Sequence, residues 1–157
     1  MEKLKIGLIG LGQRGAAYGM KDGSIGLLGN ILNNSDVLVT AVCDSRAERV
    51  DFAAEKVVEA GQAQPLKTTD FNKVLNSGID AVIVSTSWSS HVEVALAAMK
   101  KGVAVGIEVG GTHNLDDMQK LVKTYEKTKT PFMFLENCCY NKDELLVTSL
   151  ARNGKLG

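Results

Sequence analysis

Aromatic residues are scarce in this 157-residue chain, which has one Trp, three Tyr and four Phe, and a net charge of either sign is absent. Lys and Arg number 18, as do Asp and Glu. Without a basic excess, the chain is not expected to bind nucleic acid or a membrane surface. It also lacks any apolar run near the roughly 20 residues that span a bilayer. The first apolar stretch is too short for the core of a signal peptide, so we expect a cytoplasmic protein.

Cysteine is also rare, with only Cys43, Cys138 and Cys139. An odd number with two adjacent residues argues against a disulfide framework. No CxxC pair exists and the chain has only two histidines, so we expect no metal site. The thiols are expected to be buried in strand ends and loops.

Short apolar runs alternate with amphipathic segments along the chain. The runs predict strands over residues 4–9, 37–43, 66–68, 81–85, 103–107 and 132–135. Helices are predicted over residues 14–33, with an interruption near 22–24, and over 46–59, 71–75, 90–100, 114–127 and 142–152. Ser90 and Glu93 form a capping-box pattern, while Asn114 and Asn141 are predicted N-caps. This alternation predicts an α/β fold, a doubly wound parallel sheet of about six strands in the order 3-2-1-4-5-6 with helices on both faces, known as the Rossmann fold.

A glycine-rich turn carries the strongest functional signal. The segment from Gly10 to Gly15 reads GLGQRG, directly after a predicted strand and before a helix. In a dinucleotide-binding site, Gly10 would allow the tight turn, Gly12 would let a pyrophosphate approach the backbone, and Gly15 would let the helix pack close to the sheet. The helix N-terminus, with Gln13 and Arg14, would offer N–H groups and a positive dipole end to the anion.

The second predicted strand ends at Cys43, and Asp44 follows it, 29 residues after Gly15. The Asp44 carboxylate would accept hydrogen bonds from the adenosine ribose, with Ser45 beside it, and would repel a 2′-phosphate. This favours NAD over NADP. Arg46 leaves two interpretations open, since it could accommodate the 2′-phosphate or lie in solvent on the first helical turn.

From Gly10 onward the sequence resembles the N-terminal domain of the Gfo/Idh/MocA oxidoreductases. The resemblance rests on GLGQRG, on residues 41–49 (AVCDSRAER), on residues 80–108 (DAVIVSTSWSSHVEVALAAMKKGVAVGIE) and on the closing NGKLG. It implies that residues 1–157 are the NAD-binding domain of a larger enzyme whose C-terminal substrate domain is absent from this chain.

Where the family usually has Glu-Lys-Pro, this chain has Glu108-Val109-Gly110. Valine therefore replaces the lysine that serves acid–base chemistry in the family. The segments TSWSSH (86–91) and LENCCY (135–140) are similar to a branch without that lysine, which contains NAD-dependent glycosidases of the alpha-N-acetylgalactosaminidase type. The resemblance implies that these enzymes oxidise a sugar carbon transiently, eliminate the aglycone, add water and return the hydride. Their principal acid–base residues lie in the second domain, so no catalytic residue is assigned here.

The resemblance also implies roles for residues after the later strands. Ser85, Thr86 and Trp88 would line the cofactor crevice, although Trp88 could instead pack internally or meet the missing domain. His91 would contact the cofactor or be a polar first-turn residue with no ligand. Glu108 would approach the nicotinamide ribose, Asn137 the nicotinamide end, and Tyr140 the sugar. Cys138 and Cys139 have no catalytic role, and His113 is expected in a loop.

Three functions are compatible with these residues. The first is the NAD-binding domain of an oxidoreductase acting on a sugar or polyol, the second is the redox-neutral glycosidase, and the third is a module that senses NAD without catalysis. We expect this chain to bind NAD without turnover. Its surface for the second domain should favour association with another copy, giving a homo-oligomer.

Overall fold

The computed structural model describes residues 2–110, 112 and 114–156. In this part of the chain, helices and strands alternate, and a short 3-10 turn, Cys138–Tyr140, precedes the last helix. The strands are β1 (Leu4–Ile9), β2 (Val37–Cys43), β3 (Leu66–Thr68), β4 (Ala81–Val84), β5 (Ala104–Ile107) and β6 (Phe132–Phe134). The helices are α1 (Gln13–Ala16), α2 (Gly26–Leu32), α3 (Ala47–Glu59), α4 (Phe71–Leu75), α5 (Trp88–Lys100), α6 (Leu115–Thr128) and α7 (Lys142–Arg152).

All the described strands form one parallel sheet in the order β3-β2-β1-β4-β5-β6, which confirms the predicted fold. The register aligns the last residue of β1, Ile9, with Cys43 on one side and Val84 on the other. The chain leaves β1 toward β2 and returns on the opposite side at β4. Connections therefore diverge at the carboxyl end of β1, and this divergence opens a crevice there.

Two apolar clusters cover the two faces of the sheet. One packs α4 and α5 on alternate strand residues such as Ile9, and the other packs α2 and α3 on the intervening residues such as Leu8. Successive side chains of a strand point to opposite faces, so each cluster uses every second strand residue. The sheet is thus rigid and covered, and its carboxyl edge is a fixed platform for the segments that follow the strands.

The first predicted helix is shorter than expected. It ends after one turn because Ala17 adopts a left-handed conformation with φ of 56°. Residues 17–25 are not helical, and α2 begins only at Gly26. The interruption predicted near residues 22–24 is therefore present, and it extends over nine residues.

One of the three predicted N-caps is wrong, and the other two residues stand at the positions predicted for them. Helix α5 begins at Trp88 with Ser87 at the N-cap, and no capping-box bond forms. Ser90 lies within the first turn, where its hydroxyl donates to Thr86 Oγ1 (2.8 Å) and to the Ser87 carbonyl (3.0 Å). Asn141 stands at the N-cap of α7 without a side-chain bond, whereas Asn114 caps α6 as predicted, accepting from the N–H of Asp117 at 2.9 Å.

The outer edge of the fold carries many exposed apolar side chains. Helix α7 has no fully buried residue, and it exposes Leu145, Leu146 and Val147. Exposed apolar residues on α6 and β6 add Leu115, Met118, Val122, Tyr125, Met133 and Phe134. No helix in the described ranges is long and apolar enough to cross a membrane.

Candidate dinucleotide-binding site

The glycine-rich turn packs directly against the end of β4. Gly10 has a φ of +93°, and a Cβ there would lie 2.5 Å from the Ser85 carbonyl carbon. The Ser85 hydroxyl donates to the Gly10 carbonyl at 2.6 Å. A side chain at Gly10 is therefore excluded both by backbone conformation and by space.

Gly15 and Gly12 differ in what surrounds them. A Cβ at Gly15 would lie 2.0 Å from the Gly10 carbonyl oxygen, so α1 can approach the turn only because this residue is glycine. A Cβ at Gly12 would meet only the Arg49 guanidinium, at 3.5 Å or more. The geometry matches the close packing expected of Gly10 and Gly15, and at Gly12 it leaves room for a Cβ, with only the Arg49 guanidinium nearby.

The helix after the glycine-rich turn is too short to supply the helix dipole that the sequence predicts. Helix α1 has only four residues, so few peptide dipoles add along its axis. Its first-turn N–H groups, from Gln13 onward, still have no partners within the helix. An anion at this turn would therefore be bound by local N–H groups, and a long helix does not contribute.

Asp44 is buried and already bonded to the protein. Its Oδ2 accepts from the N–H of Leu11 at 2.7 Å, and its Oδ1 accepts from the N–H of Arg46 at 3.0 Å. The Ser45 hydroxyl donates to the same Oδ1 at 3.4 Å. The carboxylate thus links the turn after β2 to the glycine-rich turn, a structural role that the sequence motif did not reveal.

A cleft of about 620 Å³ lies at the carboxyl ends of β1, β2 and β4. It brings together seven predicted cofactor residues, namely Gly10, Gly12, Asp44, Ser45, Arg46, Ser85 and Thr86. It is also lined by residues that the sequence did not single out, namely Ile9, Cys43, Arg49, Thr69, Phe71, Ser87, Ser90 and Val94. The cleft position agrees with the crevice that this strand order creates.

Arg49 lines the cleft although it is not part of the glycine-rich motif. It lies on the first turn of α3 and is 28% exposed, with Nη1 3.5 Å from Asp44 Oδ2. Its guanidinium carbon lies 5.7 Å from the centroid of the Tyr18 ring. Arg49 falls inside the segment 41–49 that carries the family resemblance, and its position five residues after Asp44 was the only available signal.

A second group of predicted residues lies beside the cleft. Arg14 Nε donates to Glu108 Oε1 at 2.8 Å, and Arg14 Nη2 donates to Asn137 Oδ1 at 3.4 Å. Glu108 directly follows β5, and Asn137 follows β6. One guanidinium therefore connects segments that follow three strands. Gln13 and Arg14 also border a separate cavity of about 420 Å³ formed with residues 20–30.

His91 is fully buried and does not line the cleft. Its Nε2 lies 3.0 Å from the Thr86 carbonyl, while its Nδ1 has no hydrogen-bond partner within the described residues. Burial lowers the pKa of His91 below its usual value, against the opposing influence of the Thr86 bond and Glu108. His91 is thus a neutral internal residue that supports the loop after β4.

Trp88 and Tyr140 are both exposed, at 57% and 69%. A Cβ at Gly110 would fall 2.3 Å from the indole of Trp88, so the ring lies against the segment after β5. Tyr140 stands in the 3-10 turn after β6. Neither lines the main cleft. His113, predicted in a loop, lies outside the described residues.

The cysteines follow the prediction only in part. Cys43 is buried at the end of β2, and burial, together with the carboxylates of Asp44 and Asp70, raises the pKa of its thiol to about 12. Cys138 and Cys139 are exposed, which corrects the expectation of buried thiols. A hydrogen bond to Glu136 and the charge of that residue raise the pKa of Cys138. Among the described residues, no group of three His, Cys, Asp or Glu could hold a metal ion.

Comparison with known proteins decides the family. The sequence model described as "Oxidoreductase family, NAD-binding Rossmann fold" (GFO_IDH_MocA) matches residues 4–135. The chain belongs to the Gfo/Idh/MocA oxidoreductase family. This membership agrees with the resemblance seen in the sequence, and it identifies the fold as an NAD-binding domain.

Curated relatives carry the name "Glycosyl hydrolase family 109 protein". The protein from Saccharopolyspora erythraea is 35% identical over 161 residues, which cover 99% of this chain and 33% of that protein. The one from Streptomyces niveus is 38% identical over 159 residues, which cover 98% of this chain and 30% of that protein. The chain therefore spans about a third of the length of these relatives.

Solved structures agree on the fold. The WlbA dehydrogenase from Chromobacterium violaceum, in complex with NADH and UDP-GlcNAcA, superimposes with a TM-score of 0.85 at 17% identity, covering 100% of this chain and 42% of that one. The Bordetella pertussis WlbA dehydrogenase, with the same two ligands, gives 0.80 at 18% identity, covering 99% and 44%. At this identity the likeness concerns the fold alone.

Proposed function

We propose that this chain is the dinucleotide-binding part of a larger enzyme that oxidises a carbon of a sugar or polyol, with NAD held in the cleft after β1, β2 and β4. The observation that carries the proposal is the surroundings of Gly12. Its backbone faces a cleft of about 620 Å³ between the closely packed Gly10 and Gly15, while the Asp44 carboxylate lies at the side of the same cleft. A diphosphate needs such a side-chain-free approach, and a ribose needs such an acceptor.

The adenosine half would lie toward Asp44, Ser45 and Arg46. A buried carboxylate at this position favours ribose hydroxyls and repels a 2′-phosphate, so we infer a preference for NAD over NADP. Arg46 is exposed at the N-cap of α3 and is the residue that would weaken this preference. Ser85 and Thr86, which follow β4, would border the middle of the dinucleotide.

The nicotinamide half would lie toward Glu108 and Asn137. When bound, the nicotinamide ring supplies a hydride acceptor for the sugar carbon. Arg14 orients the Glu108 carboxylate and the Asn137 amide from one side, and Tyr140 would border the sugar. Val109 stands where the family's usual tripeptide has lysine and cannot move a proton, so acid–base groups would come from the second domain.

The names of the curated relatives favour one specific alternative. Their glycosyl hydrolase name, together with Val109, supports a redox-neutral glycosidase in which the sugar is oxidised only transiently. In that reaction the same cleft would retain its dinucleotide through the whole cycle. The residues of this chain would bind and orient the sugar and cofactor in either reaction.

The exposed apolar side chains of α6, β6 and α7 support the presence of a covering partner. A surface with this many large apolar groups is unusual for a monomer. We infer that the substrate domain of the larger protein, or a second copy of this chain, covers it. A cytoplasmic location would accord with an enzyme that draws on the cellular NAD pool.

The first test is calorimetric titration of the chain with NAD and NADP, with Asp44→Ala as the variant. Tighter binding of NAD than NADP, and a weaker NAD complex in the variant, would support the proposal. Because Asp44 also accepts from two backbone N–H groups, circular dichroism must establish that the variant is folded. If the folded wild-type chain binds neither dinucleotide, the proposed function fails.

A second test separates the two reactions in the full-length protein. Release of NADH with a free sugar would identify an oxidoreductase. Release of the aglycone from an aryl hexosaminide, with no net NADH, would identify the glycosidase. Dinucleotide binding with neither activity would contradict both and leave a sensing module.

A further inference from the structure

The guanidinium of Arg49 lies over the backbone of Gly12. Its Nη1 is 3.5 Å from the point where a Gly12 Cβ would stand, and nothing else lies within 4 Å of that point apart from the same guanidinium. Gly12 begins the turn whose N–H groups would bind an anion. A positive charge therefore stands beside the turn proposed to bind the anion.

The side chain of Arg49 lies against one aromatic ring, which a second ring supports. Its guanidinium carbon lies 5.7 Å from the centroid of Tyr18, within the range of a cation–π contact. The Tyr18 ring in turn packs edge-on against Phe52, with centroids 5.4 Å apart and an interplanar angle of 87°. The position over Gly12 is thus defined by packing from residues outside the cleft.

The ion pair of Arg49 with Asp44 is loose. The 3.5 Å separation of Nη1 and Oδ2 is longer than an ordinary charge-assisted hydrogen bond. The same Oδ2 already accepts from the N–H of Leu11 at 2.7 Å. In addition, the buried Nε of Arg49 has no hydrogen-bond partner in the described part of the chain. The guanidinium therefore has donor capacity that its protein contacts do not use.

We propose that Arg49 binds the diphosphate of the dinucleotide, exchanging its loose contact with Asp44 for charge-assisted hydrogen bonds to the phosphate oxygens over Gly12. This inference rests on the proposed function. A planar guanidinium matches phosphate oxygens well, and its departure leaves Asp44 Oδ2 more able to accept a ribose hydroxyl. One ligand would thus engage both members of the pair.

The experiment compares ligands with and without a diphosphate. NAD and ADP-ribose contain it, whereas adenosine does not. Loss of charge-assisted hydrogen bonds should weaken binding of NAD and ADP-ribose to Arg49→Met by about 10-fold to 100-fold, and should change adenosine binding by less than about 2-fold. Calorimetry measures the first two ligands, and an NMR titration measures the weaker adenosine complex.

Lys56→Met is the matched control. Lys56 lies on the same helix, with Nζ 5.7 Å from the centroid of Phe52, but it does not line the cleft. The control removes the same charge and a similar cation–ring contact. Because Lys56 lies outside the cleft, the substitution should leave all three affinities unchanged. Thermal unfolding of both variants reports any loss of folded protein.

Three outcomes would overturn the inference. Equal affinity of wild type and Arg49→Met for ADP-ribose would mean that Arg49 does not touch the diphosphate. An equal loss for adenosine would identify a structural role. With NADP titrated as a fourth ligand, a loss confined to NADP would place the guanidinium at the 2′-phosphate. If the folded wild type binds no dinucleotide, the proposed function fails as well, and this result differs from the other three.

Discussion

Nε of Arg14 donates to Oε1 of Glu108 over 2.8 Å, and this pair joins the first turn of α1 to the end of β5. The side chain of Arg14 is 55% exposed and that of Glu108 is 15% exposed. The contact therefore combines a charge in solvent with a charge that is mostly shielded. Its value to the protein is more in orienting Glu108 than in stabilising the fold.

A double-mutant cycle tests how much the Arg14–Glu108 pair contributes to the stability of the fold. We expect Arg14→Met and Glu108→Gln to show a coupling of about 0.2–1 kcal/mol in the free energy of unfolding, because solvent screens the exposed partner. Urea unfolding of the wild type, both single variants and the double variant measures it. A coupling above about 2 kcal/mol would mean that the pair is effectively desolvated.

Gly15→Ala and Gly12→Ala should affect different properties. The new Cβ at position 15 would lie 2.0 Å from the Gly10 carbonyl oxygen, so we expect a loss of about 3 kcal/mol or more in the free energy of unfolding. The new Cβ at position 12 has space, so stability should change by less than about 1 kcal/mol. NAD affinity of Gly12→Ala should nevertheless fall by about 10-fold, since the methyl group occupies the diphosphate approach.

Urea unfolding and NAD calorimetry on these two glycine variants measure both properties. A Gly15→Ala protein as stable as the wild type would show that the turn can move aside. A Gly12→Ala protein with unchanged NAD affinity would contradict the position assigned to the diphosphate.

His91 predicts a pH dependence of stability. Its pKa is lowered in the folded state by burial, so the unfolded chain binds the proton more readily. Protonation of the unfolded state therefore draws the equilibrium toward unfolding as the pH falls below the ordinary histidine value of 6.5. We expect the wild type to lose stability as the pH falls through and below about 6.5, and His91→Gln to lose less.

Urea midpoints of both proteins at several pH values measure the effect. Glutamine retains a side-chain N–H for the Thr86 carbonyl but does not titrate, so the difference between the two curves belongs to His91. Parallel curves would mean that protonation of His91 costs the folded state nothing.

The three cysteines should differ in reactivity. Cys138 and Cys139 are exposed, so both should react with a thiol reagent in the native protein at pH 8, although Glu136 raises the pKa of Cys138 and slows its reaction. Cys43 is buried with a pKa of about 12, so it should react only after unfolding. Counting modified thiols by mass spectrometry, before and after addition of denaturant, checks this. Three fast thiols in the native state would mean that the end of β2 opens readily.

The periodic parts of the fold could be predicted from the sequence. Each strand was located to within one residue, because continuous apolar runs bounded by polar residues leave few alternatives for a parallel strand. The start of α5 could not be predicted, because Ser87 and Ser90 are both acceptable N-caps and the choice depends on where Thr86 and Ser90 meet in space. A capping pattern does not contain that contact between two side chains four residues apart.

The site was predicted incompletely for a similar reason. Gly10 and Gly12 occur at the spacing of a GxGxxG turn, and Asp44 directly follows the second strand, so a motif reveals them. Arg49 lies beside Gly12, and this position depends on how α3 packs against the glycine-rich turn. The exposure of Cys138 also depends on the 3-10 turn after β6, which no periodic pattern announces.

The two bonds from Asp44 to the N–H groups of Leu11 and Arg46 have an evolutionary consequence. A lineage that exchanges this carboxylate to accept a phosphorylated ribose also removes the bond that ties together two turns of the fold. Any change of coenzyme preference made at Asp44 would therefore also alter the packing of these two turns, and a second substitution would be needed to restore the connection.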